Sequence, residues 1–389
     1  MTTVDTLRPA DAETCARSLA DASGARRTVR VRGSGTKDYL GGELAPTDIV
    51  LETTAMRGVV AHVPADLTVT VAAGTTLVEL RQTLAAAGQV LALDPPHGDR
   101  ATIGGVVAAN STGFLRARYG GVRDQLIGTT LALADGTVAH AGGRVVKNVA
   151  GYDLNKLFIG SLGTLGVIVE CTLKVLPRPA ASAGLRARFA RAADAFRAAD
   201  GVASTSARPA SLVVDATGRG ALELLVLAEG GAPAVRRTLE IAATSVRASG
   251  SASEPDDAIA DALAPLRELP AASDGVVVRA SLPPAAQPAF ADTAMRLEGF
   301  ARLVADAATG TVRVALRGDD DVLVLGADAI VAAARVCGGT AHAERRPDSL
   351  RRRIAAWGDG DMPGLFLMRR LKESFDPNGI LEPARGPVR

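Results

Sequence analysis

The residues best placed to do chemistry sit in glycine-rich loops. Gly33-Ser34-Gly35-Thr36-Lys37-Asp38 follows directly on the alternating run Thr28-Val29-Arg30-Val31-Arg32. Small residues after a strand let successive backbone N–H groups converge on an anionic oxygen, so the loop is a candidate phosphate cradle; a plain turn after an edge strand is the competing reading. Both common phosphate loops fail on inspection, because the dinucleotide fingerprint needs glycine and the Walker pattern needs Ser or Thr where Asp38 stands. A second cluster runs from Asp94-Pro95-Pro96-His97-Gly98 to Ala101-Thr102-Ile103-Gly104-Gly105, where Thr102 can cap a helix and the glycine pair allows a ligand close to the backbone. Tyr119-Gly120 with Asp124, and then Gly160-Ser161-Leu162-Gly163-Thr164-Leu165-Gly166, extend the series. Glycines in this number suit a large flat ligand that must touch main chain along its edge.

Short strands and turns have to carry these loops. Strands are expected over Thr28–Arg32, Asp48–Leu51 and Thr68–Ala72. Thr76-Leu77-Val78-Glu79 is a capping box that opens a helix with Leu77, Leu80 and Leu84 on one face and Gly88 at its end, giving a β-α-β rhythm. Asp135-Gly136 between Thr129–Ala134 and Thr137–His140 is a hairpin signal. Val167, Val169, Cys171, Leu173 and Val175 alternate with polar residues, as in a half-buried strand. Beyond Pro177-Arg178-Pro179 the composition turns alanine-rich. There we expect strands at Ser211–Asp215, Leu222–Ala228, Gly275–Ala280, Ala301–Val304 and Thr311–Leu316, with helices at Ala232–Ala243 and Ala285–Leu297. An antiparallel sheet with helices on one face packs that order. Pro347–Phe375 reads as a helical tail ending at Asp376-Pro377-Asn378-Gly379.

The 389 residues are enough for two or three domains, and 47% apolar content with only 22% charge describes a folded chain, not a disordered one. Lys and Arg exceed Asp and Glu by 44 to 42, so nothing in the charge calls for nucleic acid or an anionic membrane. Cys15, Cys171 and Cys337 lie far apart and form neither a metal pair nor a disulfide framework. The first 21 residues carry Asp5, Asp11 and Glu13 without an apolar stretch, and no run approaches the ~20 apolar residues of a transmembrane helix. A cytoplasmic protein without a transmembrane segment is the expectation.

In order and spacing, Val29–Lys37, Thr102–Gly105, Tyr119-Gly120, Asp135-Gly136 and Gly160–Ile168 resemble the FAD-binding domain of the vanillyl-alcohol-oxidase superfamily, also called PCMH-type. Asp94–His97, Lys147-Asn148-Val149-Ala150-Gly151-Tyr152-Asp153-Leu154 and the ending Phe375–Leu381 are similar to FAD-binding subunits of glycolate oxidase complexes. The resemblance implies an α+β chain. It would have a two-lobed PCMH-type FAD-binding domain over residues 1–179, a smaller α+β cap over 180–345, and a helical segment over 346–389 returning to the first domain. It also implies partners, namely a second FAD subunit and an iron–sulfur subunit, with attachment at the inner membrane only through them.

Carried over by motif, Arg32, Gly33, Ser34, Gly35, Thr36 and Lys37 would hold the pyrophosphate. Pro95, Thr102, Ile103, Gly104, Gly105, Asn110, Ser111 and Gly113 would line pyrophosphate and flavin, joined by Tyr119, Gly120 and Asp124. Gly163, Gly166, Val167 and Ile168 would meet the adenine and ribitol regions. Covalent attachment in the superfamily uses a His or Cys near these loops; Ser34 and Thr36 are neither, so the FAD is expected to be non-covalent.

Relatives that oxidise D-2-hydroxy acids carry a Gly-Asp-Gly-Asn-x-His metal segment. Here the only histidine after His140 is His342, which leaves no two-histidine metal site. His97 is a candidate to face the isoalloxazine or simply to bond its own loop, and Lys147 to meet a flavin anion or substrate carboxylate or simply to be solvated. Arg345-Arg346 and Arg351-Arg352-Arg353 read as a solvated helix face, and Trp357 as a packing residue. The functional expectation is a subunit of a glycolate or D-lactate dehydrogenase complex; a stand-alone FAD oxidoreductase acting on a small hydroxy acid or alcohol is the alternative.

Overall fold

Short segments near the start of the chain make strands β1 (Asp5–Leu7), β2 (Val29–Arg32) and β3 (Ile49–Glu52) in the computed structural model, which describes residues 4–143, 153–218, 220–357 and 364–388. They form a parallel sheet of order β1-β3-β2. Helix α1 (Ala12–Gly24) starts where Asp11 accepts the Thr14 amide at 2.7 Å, and it turns Cys15, Ala16, Leu19 and Ala22 into the core.

A second sheet has the order β4-β5-β8-β6-β7 and is antiparallel throughout. Its strands are β4 (Val59–Val63), β5 (Thr68–Ala72), β6 (Leu126–Ala132), β7 (Val138–Gly142) and β8 (Val167–Lys174). The β-α-β rhythm therefore does not lead to parallel pairing here. Helix α2 (Leu77–Ala86) follows β5 and opens on the Thr76–Glu79 capping box, with Leu77, Leu80 and Leu84 fully buried. Arg57 also grips Glu79, and that bond leads in pulling the carboxyl down to about 2. Thr102 caps α3 (Ile103–Ala108).

Strand β8 is buried on both faces, not one. A register shift opposite Thr130/Leu131 breaks its alternation, so Val167 and Val169 join the core of α1 while Ile168, Cys171 and Leu173 join that of α2.

The chain divides into two units, one made of Met1–Thr112, Gly120–Arg178 and Gly360–Arg389, the other of Gly113–Tyr119 and Pro179–Asp359. The second unit is the smaller of the two, though they are nearly equal in length. Expectation and structure differ in two respects. Gly113–Tyr119 belongs to the second unit, where Phe114 is buried among Val213, Leu225 and Ile259. Residues after 345 also stay there, because Leu350 and Ile354 lie in its core; the return is made by α9 (Leu365–Phe375).

Before that return, the second unit builds one eight-stranded antiparallel sheet of order β12-β9-β11-β10-β14-β15-β13-β16. Its strands are β9 (Ala181–Phe189), β10 (Ser211–Thr217), β11 (Leu222–Gly230), β12 (Ser253–Pro255), β13 (Val276–Ser281), β14 (Phe300–Asp306), β15 (Thr311–Leu316) and β16 (Thr340–Arg345). Helices α4 (Ala192–Ala203), α5 (Ala232–Ala248), α7 (Gln287–Ala294) and α8 (Asp320–Val336) cover one face through Phe196, Val246, Phe290 and Ile330. Phe196 and Phe290 are fully buried, which stabilises by roughly 2–3 kcal/mol each. Helix α6 (Ile259–Arg267) packs Leu263 and Leu266 against Val213, Leu225 and Val304 on the opposite face, so the helices are not confined to one side.

That opposite face also carries charge. Arg279 stands directly across from Arg313 on one neighbouring strand and from His342 on the other. Glu344 takes Arg313 in a two-point ion pair at 2.7 and 3.1 Å and stays ionised down to about 2, because Arg313, seconded by Arg279, outweighs the cost of its burial. Trp357 stacks on His342 with ring centres 6.0 Å apart. Arg346 is not solvated as expected: it is buried and donates to the Ile354 carbonyl at 2.7 Å.

Burial, helped by Arg279 and Arg313 against the opposing pull of Glu344, lowers His342 to about 4 from its ordinary 6.5. Between those values the unfolded chain binds a proton that the folded chain refuses, so stability falls as pH drops from about 6.5 towards 4 and levels off below. Urea unfolding at stepped pH should show this slope, and His342→Gln should flatten it; an unchanged slope in the variant would place the acid sensitivity elsewhere.

Candidate functional site

Three glycine clusters meet in the first unit. The loop leaving β2 turns at Gly35, whose φ is +75° and whose carbonyl accepts the Asp38 amide at 3.3 Å. Arg32 pairs with Asp38 at 3.2 Å across the loop. Thr36 and Lys37 are buried, and the Lys37 ammonium donates to the Pro96 carbonyl at 2.7 Å, which ties the loop to Asp94–His97.

Gly33 lies against Thr102. A Cβ at position 33 would stand 2.3 Å from Thr102 Oγ1, so the loop and the start of α3 touch with no room for a side chain. Thr102 Oγ1 meanwhile accepts the Gly105 amide at 3.3 Å. The third cluster hooks onto the far end of α3, where Gly160 donates to the Val107 carbonyl at 3.1 Å and Leu162 to that of Ala108 at 2.8 Å.

These segments wall a cavity of about 70 Å³. Of the expected residues, Arg32, Gly33, Ser34, Gly35, Thr36 and Lys37 line it from the loop, Thr102, Gly104 and Gly105 from α3, and Gly163, Gly166 and Ile168 from the third cluster. Asp38 and Leu162, members of the first and third clusters, line it as well, and so do Val31, Thr53, Ala108, Ala109 and Arg385, which were not anticipated. For Arg385 no local signal exists, since its place depends on residues some 348 positions away, such as Lys37.

The other expected residues lie outside this lining. Ile103 and Val167 are core side chains, at 1% and 0% exposure. Asp124 is committed to the amide of Gly121 at 2.8 Å, with Gly120 packed against it. Gly113 and Tyr119 belong to the second unit, where the Tyr119 hydroxyl donates to Glu229 at 2.9 Å; burial first, then that bond, pushes it up to about 12. Pro95 and Ser111 are buried beside the cavity's supporting loops, and Asn110 is exposed with φ 45°. His97 takes a left-handed backbone with φ 57°. Lys147 lies outside the described residues.

The histidines do not gather. In the first unit His62 sits on β4 and His140 on β7, the two edges of the five-stranded sheet, and His342 belongs to the second unit's sheet. Among the described residues no group of three or more His, Cys, Asp or Glu is placed to hold a metal. Burial pushes the Cys15 and Cys171 thiols up to about 12, which removes them as nucleophiles.

A site of bare main chain, hydroxyls and basic side chains suits a flat ligand carrying phosphate. The family model described as FAD binding domain matches residues 6–142, a span that includes the first two clusters. This region is an FAD binding domain. Curated relatives match part of the chain. Glycolate oxidase subunit GlcE of Escherichia coli is 45% identical over 157 residues, 40% of this chain and 44% of the relative. Glycolate oxidase subunit GlcD of Bacillus subtilis is 33% identical over 208 residues, 53% of this chain and 44% of the relative. D-lactate dehydrogenase of Archaeoglobus fulgidus is 36% identical over 176 residues, covering 44% and 38%. The chain thus spans less than half the length of these relatives.

The fold is similar to that of p-cresol methylhydroxylase, with a TM-score of 0.77 at 15% identity over 98% of this chain and 88% of the other. Alkyldihydroxyacetonephosphate synthase has it too, with a TM-score of 0.73 at 16% identity over 97% and 75%.

The contact of Gly33 with Thr102 can be tested within the FAD binding domain. Gly33→Ala should destabilise the chain by about 1–3 kcal/mol through overpacking, and Thr102→Ala by about 1 kcal/mol through the lost cap. The double variant should cost clearly less than their sum, because removing the threonine side chain makes room for the new methyl. Strict additivity in denaturant unfolding would mean that the two residues do not meet.

Proposed function

We propose that this chain holds FAD non-covalently with its pyrophosphate seated in the glycine-walled cavity and serves as an FAD-dependent oxidoreductase subunit in an assembly that oxidises a small 2-hydroxy acid such as glycolate or D-lactate. The observation that carries the reading is the convergence of three glycine clusters on one cavity of an FAD binding domain. Gly33–Lys37 and Gly104-Gly105 offer backbone N–H groups and close approach to a pyrophosphate, and Gly163–Ile168 offers a surface for the adenine and ribitol regions. Ser34, Thr36, Thr53 and Thr102 place hydroxyls on the wall, which supports retention by hydrogen bonds.

Bound FAD supplies the redox chemistry; the residues of this chain bind it, orient it and exclude water around it. The names of two relatives, both glycolate oxidase subunits, support an assembly of several subunits, and we take a second FAD subunit and an iron–sulfur subunit as its other members. No helix among the described residues is long and apolar enough to cross a membrane, and we place the chain in the cytoplasm, reaching the inner membrane only through partners. The scatter of the histidines favours a subunit that relays electrons without its own hydroxy-acid site.

A second reading is a stand-alone oxidoreductase, which holds FAD in the same cavity and itself oxidises a small hydroxy acid or alcohol. One anaerobic spectroscopic experiment separates the two. The purified chain should show a flavin spectrum, release free FAD on acid precipitation, stay oxidised with glycolate or D-lactate, and bleach with dithionite. Bleaching by either acid would establish the stand-alone reading instead, and a colourless chain that takes up no added FAD would refute both.

A further inference from the structure

We infer that the segment 380–386 forms a wall of the cofactor site and that Arg385 binds the diphosphate of the dinucleotide, a role that rests on the FAD reading above. The segment runs beside β2. The Val29 amide donates to the Ile380 carbonyl at 2.7 Å, the Glu382 amide to the Val29 carbonyl at 2.8 Å, and Val29 and Leu381 form a parallel bridge. This docking brings Arg385 to the glycine loop, and the residue lines the cavity.

Contacts to Glu382 and to the loop hold the guanidinium in place. It donates to Glu382 Oε1 at 3.1 Å and to the Lys37 carbonyl at 2.9 Å, so one arm reaches the glycine loop itself. Glu382 in turn accepts the Val31 amide at 2.8 Å, from the residue two before the loop. The Arg385 carbonyl accepts the Gly42 amide at 2.8 Å, closing the far side of the same loop. Lys372 anchors the whole turn: its buried ammonium meets Asp376 and the carbonyls of Thr164 and Leu381.

A guanidinium held this way is pre-organised, so little side-chain freedom is lost when an anion arrives. The other basic groups of the wall are differently engaged, since Arg32 spans to Asp38 and the Lys37 ammonium points to Pro96. Planar, bidentate donors match phosphate oxygens, and the neighbouring loop presents main-chain N–H groups to the same space.

The test uses the full chain freed of flavin and titrated with FAD, ADP and riboflavin, which share parts of the ligand but only two of which carry the diphosphate. Loss of a charge-assisted bond predicts that Arg385→Gln weakens FAD and ADP by about ten- to hundredfold and leaves riboflavin within about twofold. Arg385→Lys, which keeps the charge, should fall between. Failure of the wild-type chain to bind FAD would sink the functional reading; wild-type binding with unchanged FAD and ADP affinity in Arg385→Gln would sink this proposal alone and leave the residue a structural strut. If Arg385→Gln does not fold, hydrogen exchange on the wild-type chain decides. Amides of 380–386 should be protected by ADP and not by riboflavin, and equal exchange with and without ADP overturns the assignment.

Discussion

The site depends on one close approach, that of the β2 glycine loop to the start of α3. With 2.3 Å between the place of a Gly33 Cβ and Thr102 Oγ1, two segments nearly seventy residues apart in sequence share a single line of contact. Thr102 also caps α3 and sits opposite Thr76 in a bridge, so the capping of α2 and α3 and the position of the loop are set together. From the far end of α3 the third cluster is hung by two backbone bonds. A six-residue helix thus spaces all three glycine segments, and a side chain at position 33 would disturb the one contact from which the spacing is measured.

The chemistry of the two units differs accordingly. The first offers main chain, hydroxyls and a few fixed cations around a cavity, an arrangement that binds and orients a large cofactor. The second buries its charge within a sheet: Arg313 with Glu344, Arg302 with Asp215 at 2.8 Å, and a neutral His342 under Trp357. Paired buried charges of this kind contribute more to fixing strand partners than to net stability.

Much of the site was legible because its signals are local. The capping box at Thr76–Glu79, the Asp135-Gly136 hairpin and the glycine clusters each encode their own geometry within a few residues. What was not legible depends on distant partners. Arg385 matters only because the segment after Asp376 docks on β2, and Tyr119 moved to the second unit because Phe114 and Glu229 hold it there. Strand β8 looked half-buried until a bulge turned its alternation to two cores. Helix α8 was not anticipated, although Asp319 caps it and Leu323, Ala327, Ile330 and Ala334 recur at helical spacing.

The most direct test of the account is a crystal structure of the chain grown with FAD. The account predicts the pyrophosphate between the Gly33–Lys37 loop and the Thr102–Gly105 turn, with Arg385 at its edge and no covalent bond from protein to flavin. A cofactor whose phosphates lie away from that contact, or a flavin bonded to a side chain, would contradict it.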